Sequence, residues 1–476
     1  MTATGSSPRG RRGKAALFVL LCGWAGVAPH WLEPPRNLLP AASLTLLLGA
    51  YVVRTVLGQL WRRNRAQGSI DGPAPFGSTC GDASWTGPWP AVDVVVAARD
   101  EQAVVGRLVE RVSRLRYRHG VLRLWVVDDG SEDRTPELLQ ALEASTPMLR
   151  VLRRPRLAGG GKSGALNAVL EQLEGRWMLV LDADAGFQED LLERLIPRAE
   201  QGGWSAMQLR KAVVNAGSNL LTRAQAMEMA LDAVVQEGRL AGGGVAELRG
   251  NGQLLRRDAI TRVGGFNEET VTDDLDLSFR LLLAGEPVGV LWDPPVEEEA
   301  VLTIPALWRQ RQRWAEGGLQ RFFDYWPGLL SQRLNPDQKL DLTSFFLLQY
   351  VLPMVSVVDL LSALATRTAP TAWPLSIVAL GLSGAAIVAG CRRPSEGPPL
   401  PAMNPLAAAL GITYLMHWFV VIPWVTLRMA LLPKRLVWAK TQHLGSDSSI
   451  ESSDDALTAS LDPLADPLSD PSTQPS

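Results

Sequence analysis

The sequence predicts an α/β domain with a parallel sheet, held between membrane-spanning helices. Three observations carry this. Apolar residues gather at the two ends of the 476-residue chain, near 15–32 and 38–60, and again near 342–364, 372–390 and 405–432. A spanning helix needs about 20 mostly apolar residues. Between these ends, short apolar runs alternate with helical spacing, the pattern of repeated strand–helix units. Acidic residues recur just past those runs, where open parallel sheets gather their ligands.

Bulk properties narrow the chemistry. The formal net charge is −2, which gives no general drive toward nucleic acid. Cys22, Cys80 and Cys391 lie far apart, as do His30, His119, His417 and His443. Neither set has metal-ligand or disulfide spacing, so a reducing compartment fits and carboxylates must carry any catalysis.

Residues 1–65 read as a membrane hairpin of two helices. Arg9, Arg11, Arg12 and Lys14 precede the first segment, and Pro29-His30-Trp31-Leu32 makes a poor cleavage site, so the segment is read as retained. Basic residues at both ends (the N-terminal cluster, then Arg62, Arg63 and Arg65) place both ends, and the domain that follows, in the cytoplasm. Residues 66–90, rich in Gly, Pro, Ser and Thr, read as a linker.

The domain is expected over 91–300. Val92 to Ala97 suits a buried parallel strand, followed by a helix over 101–115 with Val104, Val105, Leu108, Val112 and Leu115 on one face. Leu122 to Val127 is the second strand, 136–144 a helix and Val151-Leu152 the third strand. A helix over 163–173 leads to a fourth strand, Trp177 to Leu181. Residues 301–335 read as interfacial helices and 336–440 as C-terminal transmembrane helices. Three full C-terminal spans would put Lys434, Arg435 and Lys440 outside, against the positive-inside rule, so one segment being re-entrant or interfacial stays open. Residues 445–476 hold seven acids and no Lys or Arg, a composition that buries no core.

Five motifs fall in order: Ala97-Ala98-Arg99-Asp100-Glu101, Val127-Asp128-Asp129-Gly130-Ser131, Asp182-Ala183-Asp184, Thr272-Asp273-Asp274 and Gln310-Arg311-Gln312-Arg313-Trp314. Asp-Gly-Ser is good turn chemistry as well as a ligand site. Asp-x-Asp after a buried strand suits a cation that takes one or two carboxylates. Gly159-Gly160-Gly161-Lys162-Ser163 is not a P-loop, because Arg156 stands where the first glycine is required.

Taken together the motifs resemble the membrane-bound family 2 glycosyltransferases, the group of cellulose, hyaluronan and glycolipid synthases. The resemblance covers roughly residues 90–330 and implies a GT-A-type, Rossmann-like nucleotide-sugar domain between the N- and C-terminal transmembrane helices. It implies a UDP-sugar donor bound by Arg99, Glu101, Asp128, Asp129, Lys162, Asp182, Gln310, Arg313 and Trp314, with Asp184 holding Mg2+ (or Mn2+). Asp274 matches the general base, and Asn251, Gly252 and Asp273 the acceptor side; Asp273 stands where Glu is usual in the family. Asn167, in Lys162-Ser163-Gly164-Ala165-Leu166-Asn167, reads as a helix-face residue.

The stretch Arg311 to Arg321, with Met416-His417-Trp418-Phe419 through Pro423-Trp424-Val425-Thr426, looks like the cyanobacterial enzymes that put glucose on diacylglycerol. This implies a multi-pass protein with a cytoplasmic catalytic domain, in a plasma and/or thylakoid membrane, using a lipid acceptor. The other reading is a processive β-glycan synthase. No motif here distinguishes glucose from galactose.

Overall fold

The computed structural model describes residues 8–33, 36–39, 41–49, 51 and 85–432. Residues 1–443 group as one compact unit and 444–476 as another. The acidic tail, most of the linker and the second half of the second N-terminal segment lie outside the described residues.

The centre is a seven-stranded sheet: β1 (Val92–Ala98), β2 (Leu122–Asp128), β3 (Leu149–Arg153), β4 (Trp177–Leu181), β5 (Ala206–Val213), β6 (Gln253–Arg256) and β7 (Val288–Glu298), in the order β3-β2-β1-β4-β6-β5-β7. The first four strands pair in parallel, as expected from the crossovers. The purely parallel expectation needs correction, because β6 runs antiparallel to both β4 and β5. A turn at residues 249–252 feeds β6 straight back beside β4. β5 and β7 then pair in parallel again.

Helices cover both faces. After α1 (Pro8–Val27), the domain supplies α2 (Val105–Ser113), α3 (Thr135–Ser145), α4 (Gly161–Leu170), α5 (Leu191–Gln201), α6 (Leu220–Ala241), α7 (Arg257–Arg262) and α8 (Asp273–Leu283). One core layer packs Val94, Val96, Leu124, Leu179 and Leu181 against α2 and α5. The other packs Val95, Val127, Met178 and Val180 against α4, α7 and α8. The mainly apolar central strands β1 and β4 are buried on both faces, as parallel strands should be.

The long α9 (Ile304–Leu330) lies under α8 and carries the chain into α10 (Pro336–Phe346), a π-turn (Leu347–Val351) and α11 (Leu352–Thr366). α12 (Trp373–Arg392), α13 (Pro405–Leu415) and α14 (Trp418–Leu431) follow. Three stretches, Pro336–Thr366, Trp373–Arg392 and Pro405–Leu431, are long and apolar enough to cross a membrane. The third is not one straight rod, since its helix breaks at Met416-His417.

Charged groups fasten these helices to the domain. Glu247 is fully buried and meets Arg321 of α9 at 3.0 Å, Arg249 at 3.0 Å and Arg239 of α6 at 3.5 Å. Burial opposes its charge, but the three guanidiniums win and hold its carboxyl well below the usual range. Arg239 also pairs with Asp341 of α10 at 2.9 Å. One turn further along α9, Arg11 of α1 forms a buried pair with Asp324 at 2.5 Å and donates to the Glu269 carbonyl. Lys14 donates to Phe323 O and Arg12 to Ala430 O. The N-terminal cations therefore act as anchors, beyond the topology signal read from sequence.

Replacing Glu247 by Gln leaves three buried guanidiniums short of a countercharge. Breaking such a pair typically costs about 3–5 kcal/mol. Glu247→Gln should lower the thermal unfolding midpoint of the detergent-solubilised protein. An unchanged midpoint would show that the charge cluster contributes nothing net.

Candidate active site

Register brings the motifs to one edge. Ala98 is level with Asp128, Asp128 with Arg153, and Val96 with Leu181. The residues that follow, Arg99, Asp129, Arg154 and Asp182, therefore leave the sheet side by side.

The loops after β1 and β2 interlock. The Asp100 N–H donates to Ser131 Oγ and the Glu132 N–H to Asp100 Oδ1, both at 2.8 Å, and the Glu101 N–H donates to Thr135 Oγ1 at 2.8 Å. Asp128 Oδ1 accepts from the Ser131 N–H at 2.9 Å, so this residue closes the turn. Gly130 has φ 71°, and a Cβ there would lie 2.3 Å from the Arg156 backbone; only glycine fits. Asp129 lies between Arg154, at 2.5 Å, and Arg99, at 3.9 Å. Burial pushes its carboxyl up and the two arginines pull it back. Asp128 and Asp129 thus divide the work: one makes the turn and the other presents a braced carboxylate.

Beside them, Lys162 at the start of α4 donates to Asp182 Oδ1 at 2.6 Å. Burial opposes its charge, but the Asp182, Asp273 and Asp274 carboxylates outweigh burial and hold the ammonium above the ordinary lysine range. One cation therefore reports three acids from two distant motifs. Asn251, expected on the acceptor side, is wholly buried and accepts from the Asp182 N–H at 3.1 Å. It orients the strand-β4 acids from beneath. Asn167 is more than a helix-face residue: it accepts from the Phe266 N–H and donates to Phe266 O, both at 2.8 Å. It clamps the Gly264-Gly265-Phe266 turn to α4.

Among the described residues no group of three or more His, Cys, Asp or Glu is spaced to hold a metal. Asp182 and Asp184 alone suit a hard cation that takes its other ligands from phosphate and water, as Mg2+ and Mn2+ do. The donor set fits such an ion and does not fit a fully protein-caged one.

Asp274 opens α8. Its Oδ1 accepts from the Leu275 N–H at 2.8 Å. Burial and the neighbouring Asp273 push its pKa up to about 6, against the pull of Lys211 and Arg249. Asp273 Oδ2 is buried and makes no hydrogen bond. Gly250 adjoins Asp274, since a Cβ on it would lie 3.4 Å from Asp274 Oδ2. The turn holding Gly250, Asn251 and Gly252 is fixed by Gln208, which donates to Asn251 O at 2.8 Å and accepts from the Arg249 N–H at 2.6 Å.

α9 closes the other side. A Cβ on Gly317 would sit 2.0 Å from Thr272 Oγ1, and one on Gly318 1.9 Å from the Tyr350 hydroxyl. Two glycines thus let α9 touch the residue before the acids and the π-turn together. Trp314 packs among Val213, Ala226, Met229 and Ala300, with Lys211 Nζ 5.8 Å from its ring. Gln310 accepts from Arg311 at 2.8 Å, and Arg313 is half-buried.

Residues that sequence reasoning did not assign include Lys211, Arg154, Arg311 and Glu228. Arg311 left a signal: it stands four residues from Leu307 and from Ala315, on the buried stripe of α9. A cation on an apolar stripe requires a buried partner.

A family model described as "Glycosyltransferase like family 2" matches residues 90–317. The chain is 50% identical over 370 residues to the beta-monoglucosyldiacylglycerol synthase of Synechocystis sp., covering 76% of this chain and 77% of the relative. It is 40% identical over 443 residues to the protein of the same name from Nostoc sp., covering 92% and 90%. Among solved structures, the mannosyltransferase PcManGT from Pyrobaculum calidifontis, in complex with GDP-Man and Mn2+, superposes with a TM-score of 0.52 at 19% identity. That match covers 81% of this chain and 98% of the other, and the fold is the shared GT-A-like mixed α/β sheet.

An acid whose folded pKa exceeds its unfolded value holds its proton more tightly when folded. Asp274 moves from 3.8 to about 6, so its ionisation opposes folding, with the penalty growing above pH 3.8 and complete above about 6. Asp274→Asn should therefore unfold at a higher temperature than the wild type at pH 8, with the gap shrinking toward pH 4. A lower midpoint at pH 8 would show that the carboxylate stabilises the fold.

Proposed function

The chain belongs to the family 2 glycosyltransferases, and we propose that it moves glucose from UDP-glucose to the free hydroxyl of 1,2-diacylglycerol with inversion, giving β-monoglucosyldiacylglycerol. The observation that carries the reading is the Lys162–Asp182 pair at 2.6 Å beside the Gly250-Asn251 turn, which accepts from the Asp182 N–H and adjoins Asp274, while the Asp273 and Asp274 charges act on the same ammonium. Two motifs 90 residues apart share one cation, as a donor's diphosphate and an acceptor's base must share one site.

In this reading the uracil lies against Asp129, braced by Arg99 and Arg154, with Glu101 on the neighbouring loop. Lys162 faces the diphosphate. Asp184, with Asp182 beside it, would hold Mg2+ or Mn2+, which when bound neutralises charge building on the leaving diphosphate. Asp274 takes the proton from the acceptor hydroxyl as that oxygen attacks the anomeric carbon. The bond from that carbon to the diphosphate oxygen breaks, UDP leaves and the proton stays on Asp274. No covalent sugar–enzyme intermediate is required. Gln310 and Arg313 reach toward the donor's diphosphate, Trp314 lies where the donor sugar meets the acceptor mouth, and Asp273 is toward the acceptor.

Two features favour a lipid acceptor over a growing polymer. The space beneath α8 and α9 is filled by Phe279, Phe322, Phe346 and Tyr350, with ring centroids 4.8–5.8 Å apart along the cluster. A threading glycan needs that space open; a lipid arriving sideways does not. The starts of α6, α9 and α13, joined by Asn219 donating to Leu302 O and Arg223 to Ala402 O, present exposed Leu220, Leu302, Ile304 and Leu406, an apolar rim suited to a bilayer surface.

The same reading sets the topology. α10–α11 leave the domain at Asp341, and α12 returns to it, where Arg393 pairs with Glu237. Pro405–Leu431 touches the catalytic side at both ends: Ala402 O accepts from Arg223, and Arg428 meets Glu316 at 2.5 Å. A re-entrant segment of this kind keeps Lys434, Arg435 and Lys440 on the cytoplasmic side and removes the conflict with the positive-inside rule.

Membranes carrying the chain, given Mg2+, diacylglycerol and radiolabelled UDP-glucose or UDP-galactose, should yield one lipid-mobile glucosyl product by thin-layer chromatography. Label held at the origin as polymer would sink the lipid reading. Transfer should rise with pH through about 6, as Asp274 loses its proton, and Asp274→Asn should lose activity by orders of magnitude while still binding UDP. A flat profile between pH 5 and 7, with Asp274→Asn active, would remove Asp274 as the base.

A further inference from the structure

We infer that Glu228 is a positioning residue for the acceptor side of the site, acting with Tyr414 and Trp418 to fix Arg311 against Trp314. The inference rests on reading Trp314 as part of the acceptor mouth. None of these contacts involves the five motifs' acids, and three of the five residues, Glu228, Tyr414 and Trp418, lie outside those motifs.

Arg311 is 1% exposed, and its guanidinium carbon lies 4.0 Å from the Trp314 ring centroid, one turn along α9. Stacking of this kind fixes the plane of the indole. The guanidinium is itself held from two sides. Its Nη2 donates to Glu228 Oε2 of α6 and, at 2.8 Å, to the Tyr414 hydroxyl at the end of α13. Tyr414 donates to the same carboxylate oxygen at 2.9 Å, and Trp418 Nε1 donates to the other oxygen at 3.2 Å. Glu228 is 7% exposed, so this charge persists only because Arg311, Tyr414 and Trp418 satisfy it.

The ring that Arg311 fixes also faces Lys211, whose charge acts on Asp274 and which pairs with Glu298 at 2.9 Å. A chain of contacts thus runs from the break in the last apolar segment, through Glu228 and Arg311, to Trp314 and Lys211 beside the base. Seating of that segment sets the orientation of the indole that an acceptor meets. Charge is essential to the arrangement. Gln at 228 keeps the size of the side chain but gives up its ion pair with Arg311, and its amide presents hydrogens where one of the two oxygens accepts.

The test uses full-length enzyme in mixed micelles with diacylglycerol and UDP-glucose. Displacing a substrate-positioning group by about an ångström costs on the order of 100-fold in rate. Glu228→Gln should lower kcat/KM for diacylglycerol by roughly 10–100-fold on that scale, with UDP affinity and the slow hydrolysis of UDP-glucose by water unchanged. Tyr414→Phe should move the same parameter by less. The double variant should fall short of the product of the two losses, because the groups share one network.

Acceptor kinetics unchanged in Glu228→Gln overturn the inference. So does a parallel loss of UDP affinity, which marks a merely structural role. If Glu228→Gln does not fold, Tyr414→Phe and Trp418→Phe carry the test, and wild-type acceptor kinetics in both overturn it. Wild-type enzyme that makes no glucosyl lipid sinks the lipid reading and this inference together, whereas an active wild type with unaffected variants sinks this inference alone.

Discussion

Like-charge repulsion is the constraint this site is built around. Asp129, Asp182, Asp184, Asp273 and Asp274 are carried to one sheet edge by strand register and by the start of α8. Partly buried carboxylates so close together do not all stay ionised without cations. Arg154 supplies one at Asp129, Lys162 serves Asp182, Asp273 and Asp274 together, and Lys211 and Arg249 both act on Asp274. The balance is incomplete at Asp274, whose pKa of about 6 is what remains of the repulsion and the burial. A carboxylate left that far above its ordinary range is ionised at neutral pH yet still a better proton acceptor than a solvated aspartate. The destabilisation of the folded state and the basicity of Asp274 are the same free energy seen twice.

The acids also have to be held still, and the molecule does this with buried amides and glycines in place of extra charge. Asn251 acts on the backbone of Asp182, Asn167 on the turn at Phe266, and Gln208 on the turn at Gly250. Each satisfies backbone groups that a non-helical, non-strand segment would otherwise bury unpaired. Gly317 and Gly318 then remove the side chains that would keep α9 away from Thr272 and Tyr350. Because α9 carries Trp314 on one side and these glycines on another, the distance between base and indole is set by backbone contact.

Much of this was legible in the sequence, and the reasons are physical. The parallel strands announce themselves because both faces are buried, so Val94 to Ala98 and Trp177 to Leu181 read as unbroken apolar runs. Acids recur just past their ends, although one of them, Asp128, serves the turn. β6 was not legible: it has four residues, enters from a glycine turn and shows no alternation, so the antiparallel pairing with β4 escaped. Asn251 and Asn167 were visible as motif residues, but not their tasks, since a clamp depends on which backbone groups arrive opposite. Arg11, Arg12 and Lys14 were read through the positive-inside rule alone. The same cations meet Asp324 and the carbonyls of Phe323 and Ala430, partners more than 300 residues away, which no local pattern reveals.

Those long-range anchors bear on how a membrane enzyme meets its acceptor. Buried ion pairs contribute little net stability, but breaking one is costly, so they specify an arrangement more than they strengthen it. Here they fall at the junctions between the domain and the apolar helices: Arg11 with Asp324, Arg239 with Asp341, Arg393 with Glu237, Arg428 with Glu316. Apolar packing alone would let helices of similar surface slide along one another; an ion pair does not tolerate a slip of one turn. The sheet edge that carries the acids and the apolar helices are thereby locked in one register. In the proposed transfer, the hydroxyl must arrive within hydrogen-bond reach of Asp274 from a bilayer whose own molecules are fluid. The protein supplies the fixed side of that encounter, and it does so with charges placed where the chain passes from domain to apolar helix.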